Sequence, residues 1–506
     1  MRSDGQGQRG ARRHDLSGGD TGRHVVTFKG LNLWPAAAIL VLVGLGTGFR
    51  VAVLSGRWGA LGELNSDEAV VGLMARHLLN GEFHVFYWGQ IYGGSQEAIL
   101  TALLMTVLGP TVVAIKLTPV LLSAVAAVLT WRVGRRTIGT KGAVVAALLF
   151  WVWPTAYLFL STFELGFYEF TMVCGLLLVL FSLRVVQEPG RRLDWAILGF
   201  AAGMGWWASP NIVYFGLPAV IWLLSRASGQ LIRFLPVSLP AALLGAAPWL
   251  AFNVVNRMAS LHAPTIDPYN EGHLGHVISL FRIGLPVALG VHSPFFDMWI
   301  WGAGGIAMYA GAATLVLLFI ARARGPRLLV VLVLLIYPVV IFVFPGSPRG
   351  SARYVMFAAP FLALALCGVS SHIRYWAPLT LVALAITFSG FTYIPLSPDV
   401  APLVRTLDQH GISGVVANYW VAYRLSFLTG ERIVALPYHD SRYPAYATKV
   451  RSGPSVAYVF ESGSPEEDAF VHTLQAQRIT FEKFGAATYD VMVPAVKLEP
   501  EQVPGP

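Results

Sequence analysis

Eleven apolar runs divide the chain, at positions 34–54, 112–131, 143–160, 167–183, 195–208, 213–224, 235–252, 298–320, 328–344, 354–369 and 376–391. A helix needs roughly twenty apolar residues to cross a hydrocarbon core of about 30 Å, so these runs predict about eleven transmembrane helices. The first is too long for a signal-peptide core and lacks a small-residue cleavage site, which predicts an uncleaved anchor. The runs at 195–208 and 213–224 are short and separated only by Ser209-Pro210-Asn211; one tilted helix there would reverse the orientation of everything downstream. Two spans are kept because they leave nearly every basic cluster on one side: Arg132 to Lys141, Arg184 to Arg192, Arg226 with Arg233, Arg322 to Arg327, and Arg374. Short cytoplasmic loops collect Lys and Arg, which puts the N-terminus inside and the C-terminal region outside.

From about residue 395 the pattern becomes that of a soluble domain. Helices are predicted over 398–410, 419–429, 443–451 and 465–476, and strands over 414–417, 433–437, 455–461, 479–484 and 488–493. Leu403 and Leu407 share one helix face, and Gly430 stands at a C-cap position. Alternating helix and strand predicts a small α/β domain with a largely parallel sheet. The expected organisation is a disordered cytoplasmic tail (1–30), a transmembrane domain (31–394), an extracytoplasmic α/β domain (395–494) and a disordered tail (495–506). The fold class is therefore an α-helical polytopic membrane protein with a small C-terminal α/β extracytoplasmic domain.

Composition agrees. The 506 residues are 55% hydrophobic and only 12% charged, where a soluble domain carries about 25% charged residues; mean hydropathy is +0.60. The formal net charge of +9 is what cytoplasmic membrane loops carry, and nucleic acid is not expected as a partner. Cys174 and Cys367 both lie in apolar runs, so no disulfide or metal spacing exists. Neither a Walker loop nor a dinucleotide glycine fingerprint is present.

The stretch between the first two runs is too polar to cross a bilayer and holds the densest candidate chemistry. Asn65 and Ser66 are N-cap residues for a helix carrying Ala69, Val70, Leu73, Met74 and His77. Asp67 and Glu68 then sit at that helix's positive end, where carboxylates are stabilised by about 0.3–1 kcal/mol and are also held rigidly at the membrane surface. The segment from Tyr87 through Trp88, Gln90 and Tyr92 to Glu97 contains three glycines. It is either an interfacial aromatic belt or a turn that lets backbone approach a ligand, with rings as sugar platforms and Glu97 as acceptor. Residues 95–109 form an apolar helix along the membrane or dipping into it. Glu164 and Glu169 lie at the outer end of the third and fourth runs, and acids at such depth are functional candidates. Lys116, Arg349 and Arg353 are cations near the outer face; snorkelling suits Lys116, whereas Arg349 and Arg353 are spaced to fork around a phosphate. His292 is a candidate proton donor or metal ligand without a partner at metal spacing.

At these residues the chain resembles a known family. Asp67-Glu68-Ala69, the Tyr87-to-Glu97 stretch, Gly109, Lys116-Leu117-x-Pro119 and Arg353-Tyr354-x5-Pro360 are similar to segments of the polyprenyl-phosphate-sugar-dependent glycosyltransferases of GT-C fold, of the protein mannosyltransferase and aminoarabinose transferase type. The resemblance covers roughly residues 34–370. It implies Asp67 as catalytic base or metal ligand with Glu68 beside it, a second acid at Glu164 or Glu169, and phosphate-binding cations at Lys116 and Arg353. It implies a polyprenyl-phosphate-linked sugar donor, a glycan, lipid or protein acceptor, contact with membrane lipid, and a place in the cell membrane. A divalent metal, Mg or Mn, is allowed and not required. The His-Pro-Pro segment of eukaryotic-type protein mannosyltransferases is missing, which weakens the case for a protein acceptor, and Tyr92-Gly93-Gly94 stands where many relatives have Lys-Pro-Pro. The main alternative is a transporter or lipid flippase, which predicts broken or charged helices near the midplane and usually an internal repeat. No such repeat is found, and the polar groups gather at one face. A non-catalytic scaffold with an external sensing domain would leave the acidic loop without a role.

Overall fold

The computed structural model describes residues 34–56, 63–262, 270–343, 352–391, 398–439, 441–453 and 456–498. The 1–30 tail and Arg349 lie outside the described residues.

Among these, five helices are long and apolar enough to cross a membrane: Ala37–Leu54, Val112–Thr137, Tyr168–Gln187, Pro210–Gly245 and Ala303–Arg322. Shorter apolar helices, Gln96–Leu108, Thr140–Val152, Arg327–Val343 and Met356–Gly368, fill the bundle between them. The eleven expected spans are thus not all full-length helices. Residues 143–160 divide because the Thr140–Val152 helix ends at extended Trp153, and Pro154, without an N–H to continue it, caps the short Thr155–Leu160 helix. Residues 213–224 and 235–245 lie in the segment Val213–Gly245, in which two helices meet at Ala227 (φ −149°, ψ 31°), between the two expected runs, and Ala247–Val255 follows as a separate helix. Beyond Ala227 the segment runs in register along Arg192–Ala208: a Cβ on Gly199 would fall 2.0 Å from the Ser238 carbonyl oxygen, and one on Gly203 1.9 Å from that of Ala242. Arg192–Ala208 and Val213–Gly245 remain separate, divided by Ser209 and the 3₁₀ turn Pro210–Ile212. Tyr168–Gln187 is the centre of the bundle, with 78% of its apolar window buried, against 11% for Ala303–Arg322 at the edge. Between the apolar runs 235–252 and 298–320, Gly272–Ser279 is helical and its continuation buries Leu280, Ile283 and Val287.

The C-terminal sheet has five strands: β1 (Gly414–Ala417), β2 (Val434–Pro437), β3 (Ala457–Glu461), β4 (Phe481–Ala486) and β5 (Tyr489–Pro494). Their order is β2-β1-β3-β5-β4. The first three are parallel, as expected of helix-connected strands, while β5 pairs antiparallel with both β3 and β4. The expected largely parallel sheet is therefore mixed, because a two-residue link at Ala487 (φ 58°) and Thr488 permits only an antiparallel pair. The first residues of the expected 495–506 tail are docked, not disordered: Ala495 donates its N–H to the Thr480 carbonyl and the Tyr458 hydroxyl donates to the Leu498 carbonyl. Residues 499–506 lie outside the described residues.

The helix Tyr419–Leu428 docks the domain onto the helix Ser66–Leu79. A Cβ on Gly72 would fall 2.7 Å from the Phe427 ring, Arg76 Nη2 donates to the Phe427 carbonyl and Ser66 Oγ to that of Tyr419. The small domain thereby lies over the first loop.

Candidate active site

The helix at Ser66 begins with a capping box. Asn65 accepts from the Glu68 N–H and Glu68 Oε2 from the Asn65 N–H, both at 2.9 Å. This pins both neighbouring carboxylates and points them in different directions.

Glu68 turns inward. It is fully buried, and its oxygens also accept from Lys116 Nζ at 2.8 and 3.0 Å and from the Glu164 N–H at 3.3 Å. Lys116, expected on a phosphate, is equally buried, with its ammonium 4.3 Å from the Phe163 ring centre. Glu68 and Lys116 are thus each other's charge partners. The remaining acids are buried beside them. Glu97 accepts from the Phe170 N–H at 2.7 Å, Glu164 from the Gly166 N–H at 2.9 Å, and Glu169 from the Tyr157 hydroxyl at 3.2 Å. One oxygen each of Glu97, Glu164 and Glu169 is buried with no hydrogen-bond partner among the described residues. The structure thus brings four expected site acids together as an interior layer linking the first loop to the central helix.

Asp67 turns outward and is half-buried. Its Oδ1 accepts from the Tyr419 hydroxyl, its backbone carbonyl from the Tyr87 hydroxyl at 3.1 Å, and Oδ2 has no hydrogen bond to the described residues. Around it stand two guanidiniums. Arg353 is hydrogen-bonded to Tyr168 and lies 5.8 Å from that ring's centre. Arg442 Nε donates to the Tyr419 hydroxyl at 2.9 Å, and its guanidinium lies 5.3 Å from the Tyr87 ring and 5.1 Å from the Tyr419 ring. Burial works against both charges, but the Tyr168, Asp67 and Tyr354 groups around Arg353, and Tyr87, Tyr419 and Asp67 around Arg442, outweigh it and hold both guanidiniums cationic.

The glycine-rich turn serves this arrangement from behind. A Cβ on Gly93 would fall 2.1 Å from the Phe167 ring, one on Gly94 2.5 Å from the Trp207 carbonyl oxygen, and one on Gly89 (φ 72°) 2.9 Å from Arg442 Cα. The close approach expected of a ligand is made by the protein itself. Tyr87 is buried beneath Arg442, Trp88 is stacked on Tyr443 at 4.0 Å, and Tyr92, 39% exposed, is the ring left open beside the half-buried Gln90. His292 is occupied elsewhere, with Nε2 3.3 Å from Asp297 and Nδ1 on the Ser293 carbonyl.

The donor set does not suit a divalent cation. Asp67 is flanked by a phenol and two guanidiniums, which repel a metal, and no three His, Cys, Asp or Glu side chains converge among the described residues. Tyr419 and Arg442 escaped the sequence reading because they lie some 350 residues after Asp67. The one signal in the first loop was Gly89, and it announces a close neighbour without naming it.

Residues 97–252 match the family of dolichyl-phosphate-mannose-protein mannosyltransferases. No curated protein sequence matches the chain. Among solved structures, ArnT from Cupriavidus metallidurans bound to undecaprenyl phosphate is 14% identical with a TM-score of 0.60, over 93% of this chain and 99% of that one. The same protein in its apo state gives 12% and 0.62, over 94% and 100%. An oligosaccharyltransferase of Archaeoglobus fulgidus, in complex with Zn and sulfate, gives 11% and 0.50, over 88% of this chain and 72% of that one.

Proposed function

Taking the chain as a membrane glycosyltransferase of GT-C fold, we propose that it moves a hexose or pentose from a polyprenyl-phosphate donor to a hydroxyl of a cell-envelope acceptor, at the external face of the cell membrane. The observation that carries this reading is the half-buried Asp67 carboxylate, whose Oδ2 has no hydrogen bond to the described residues, beside two cationic guanidiniums. Asp67 Oδ2 takes the proton of the acceptor hydroxyl as its oxygen attacks the anomeric carbon. The bond from that carbon to the phosphate oxygen breaks on the opposite side, so the configuration inverts. The departing polyprenyl phosphate gains negative charge, which Arg353 is placed to stabilise. Tyr419 holds Oδ1 and fixes the carboxylate's direction, and the open Tyr92 ring offers an apolar face to the sugar. Glu68 and Lys116 act as a post beneath the site, and Glu97, Glu164 and Glu169 act in the interior layer, so we assign none of them to proton transfer with the acceptor.

The test is transfer from radiolabelled polyprenyl-phosphate mannose, arabinose and glucose in proteoliposomes. Asp67→Asn should fold normally and transfer at least about 100-fold more slowly, within the usual range for a lost general base. Equal rates would remove Asp67 as the base, and consumption of no donor by the unaltered protein would remove the transferase reading in favour of lipid or solute flux.

A further inference from the structure

The α/β domain does more than cover the membrane bundle. Its residue Arg442, in the segment between β2 and the helix Pro444–Ser452, extends its side chain into the site of the first loop. Only Nε and the backbone N–H are engaged, on Tyr419 and Tyr423. The two terminal nitrogens make no hydrogen bond to the described residues, which leaves four N–H donors without a partner among them. Arg442 brings a second guanidinium to the Asp67 carboxylate beside Arg353, and a guanidinium fork matches phosphate oxygens.

The placement of Arg442 is built in from three directions. Gly89 lacks the Cβ that would fall 2.9 Å from Arg442 Cα. The next residue, Tyr443, stacks on Trp88 with rings 4.0 Å apart and 8° from parallel, and its hydroxyl donates to Glu82. Tyr419, which receives the Arg442 Nε, belongs to the helix docked on Ser66–Leu79.

We propose that Arg442 of the C-terminal domain and Arg353 of the membrane domain form one bipartite anion site, which holds the phosphate of a lipid-linked substrate between them. The inference rests on the lipid-phosphate donor proposed above. It makes the C-terminal domain part of the substrate site: the phosphate is bound fully only when that domain is docked.

The experiment is a binding titration on the full-length protein in nanodiscs, with undecaprenyl phosphate, undecaprenol and inorganic pyrophosphate as probes. The variants are Arg442→Gln, Arg442→Lys and Arg353→Gln, each checked for an unchanged unfolding temperature. Arg442→Gln should weaken undecaprenyl phosphate roughly 10- to 100-fold, the range for losing a hydrogen bond to a charged group, and leave undecaprenol unchanged. Arg442→Lys, which keeps charge without the fork, should recover part of the loss and so separates binding from folding. Wild-type affinity for undecaprenyl phosphate in Arg442→Gln overturns the inference while the donor reading stands. Pyrophosphate binding that depends on Arg442, without binding of the lipid, keeps the anion site and overturns the lipid donor. Binding of none of the probes by the unaltered protein overturns both.

Discussion

At the start of one helix, two consecutive carboxylates enter opposite surroundings. Glu68 is fully buried, holds Lys116 and two backbone N–H groups, and belongs to an interior layer with Glu97, Glu164 and Glu169. Asp67 is half-buried and has one oxygen on Tyr419 and the other without a hydrogen bond to the described residues, beneath a rim drawn from two domains. In the interior layer Glu68 is ion-paired with Lys116, while Glu97, Glu164 and Glu169 each accept one hydrogen bond from the protein around them. The rim keeps the terminal nitrogens of Arg442 without a hydrogen bond to the described residues, which is what a substrate needs to find. Adjacent acids at a membrane surface are therefore not interchangeable candidates, and the partner of each carboxylate decides its role.

The interior layer breaks first. Lys116→Met leaves the Glu68 carboxylate buried without its cation, and breaking a buried pair from one side costs about 3–5 kcal/mol. The variant should unfold at markedly lower denaturant, or fail to accumulate in the membrane. Adding Glu68→Gln removes the orphaned charge and keeps an acceptor for the Asn65 N–H, though the amide nitrogen then faces the Glu164 N–H, so the double variant should recover part of the stability. A double variant no more stable than Lys116→Met alone would show that the pair is not what holds this layer together.

The rim is sharpened by Gly89→Ala, far from Asp67 in chemistry and close to Arg442 in space. The added methyl falls 2.9 Å from Arg442 Cα at a backbone with φ 72°, a conformation that a Cβ disfavours by about 1 kcal/mol or more. Arg442 must shift, so transfer should fall about tenfold with donor KM rising more than kcat changes, while the unfolding temperature changes little. Unchanged kinetics would mean that the Arg442 backbone does not have to sit where it does.

The two layers were unequally legible in the sequence. An N-cap at Asn65 or Ser66, the apolar helix after Ser95 and most elements of the C-terminal domain follow from local pattern, and the structure contains them, with Asn65 as the cap. The mixed sheet was within reach, since strands at 479–484 and 488–493 are too close in sequence to be parallel. The pairing of Glu68 with Lys116 joins positions 48 apart, and the grouping of Tyr419 and Arg442 with Asp67 joins positions more than 350 apart. No periodicity reports such contacts. The helix break inside the apolar run 143–160, at Trp153, was hidden for another reason: in a bundle, neighbouring helices supply the packing that lets a span bend or divide.

The smallest expected effect lies in the clasp behind Arg442. His77 has Nδ1 on Glu82 at 2.7 Å and Nε2 on Glu431 at 2.9 Å. Carboxylates only accept, so both ring nitrogens must carry protons and the ring is cationic. Burial alone would lower the imidazole pKa, but the hydrogen bonds and charges of Glu431 and Glu82 outweigh it and raise it above 6.5. Burial would likewise raise Glu82, but hydrogen bonds from His77, Tyr443 and His84 hold it at about 2; Glu431, also near Arg76 and Tyr446, is lowered in the same way. The raised His77 stabilises the docked domain fully below about pH 6.5 and loses this as pH rises through its folded value. The lowered acids stabilise above about pH 4.5 and lose this as pH falls towards 2. The clasp is therefore complete between about pH 4.5 and 6.5 and loosens on the alkaline side. The unfolding temperature should exceed that of His77→Gln by more at pH 6 than at pH 9. If Arg442 depends on the clasp, affinity for undecaprenyl phosphate should weaken over the same alkaline interval in the unaltered protein and not in His77→Gln. A difference between the two proteins that is constant from pH 6 to 9 would show that His77 is not held protonated between its two acids.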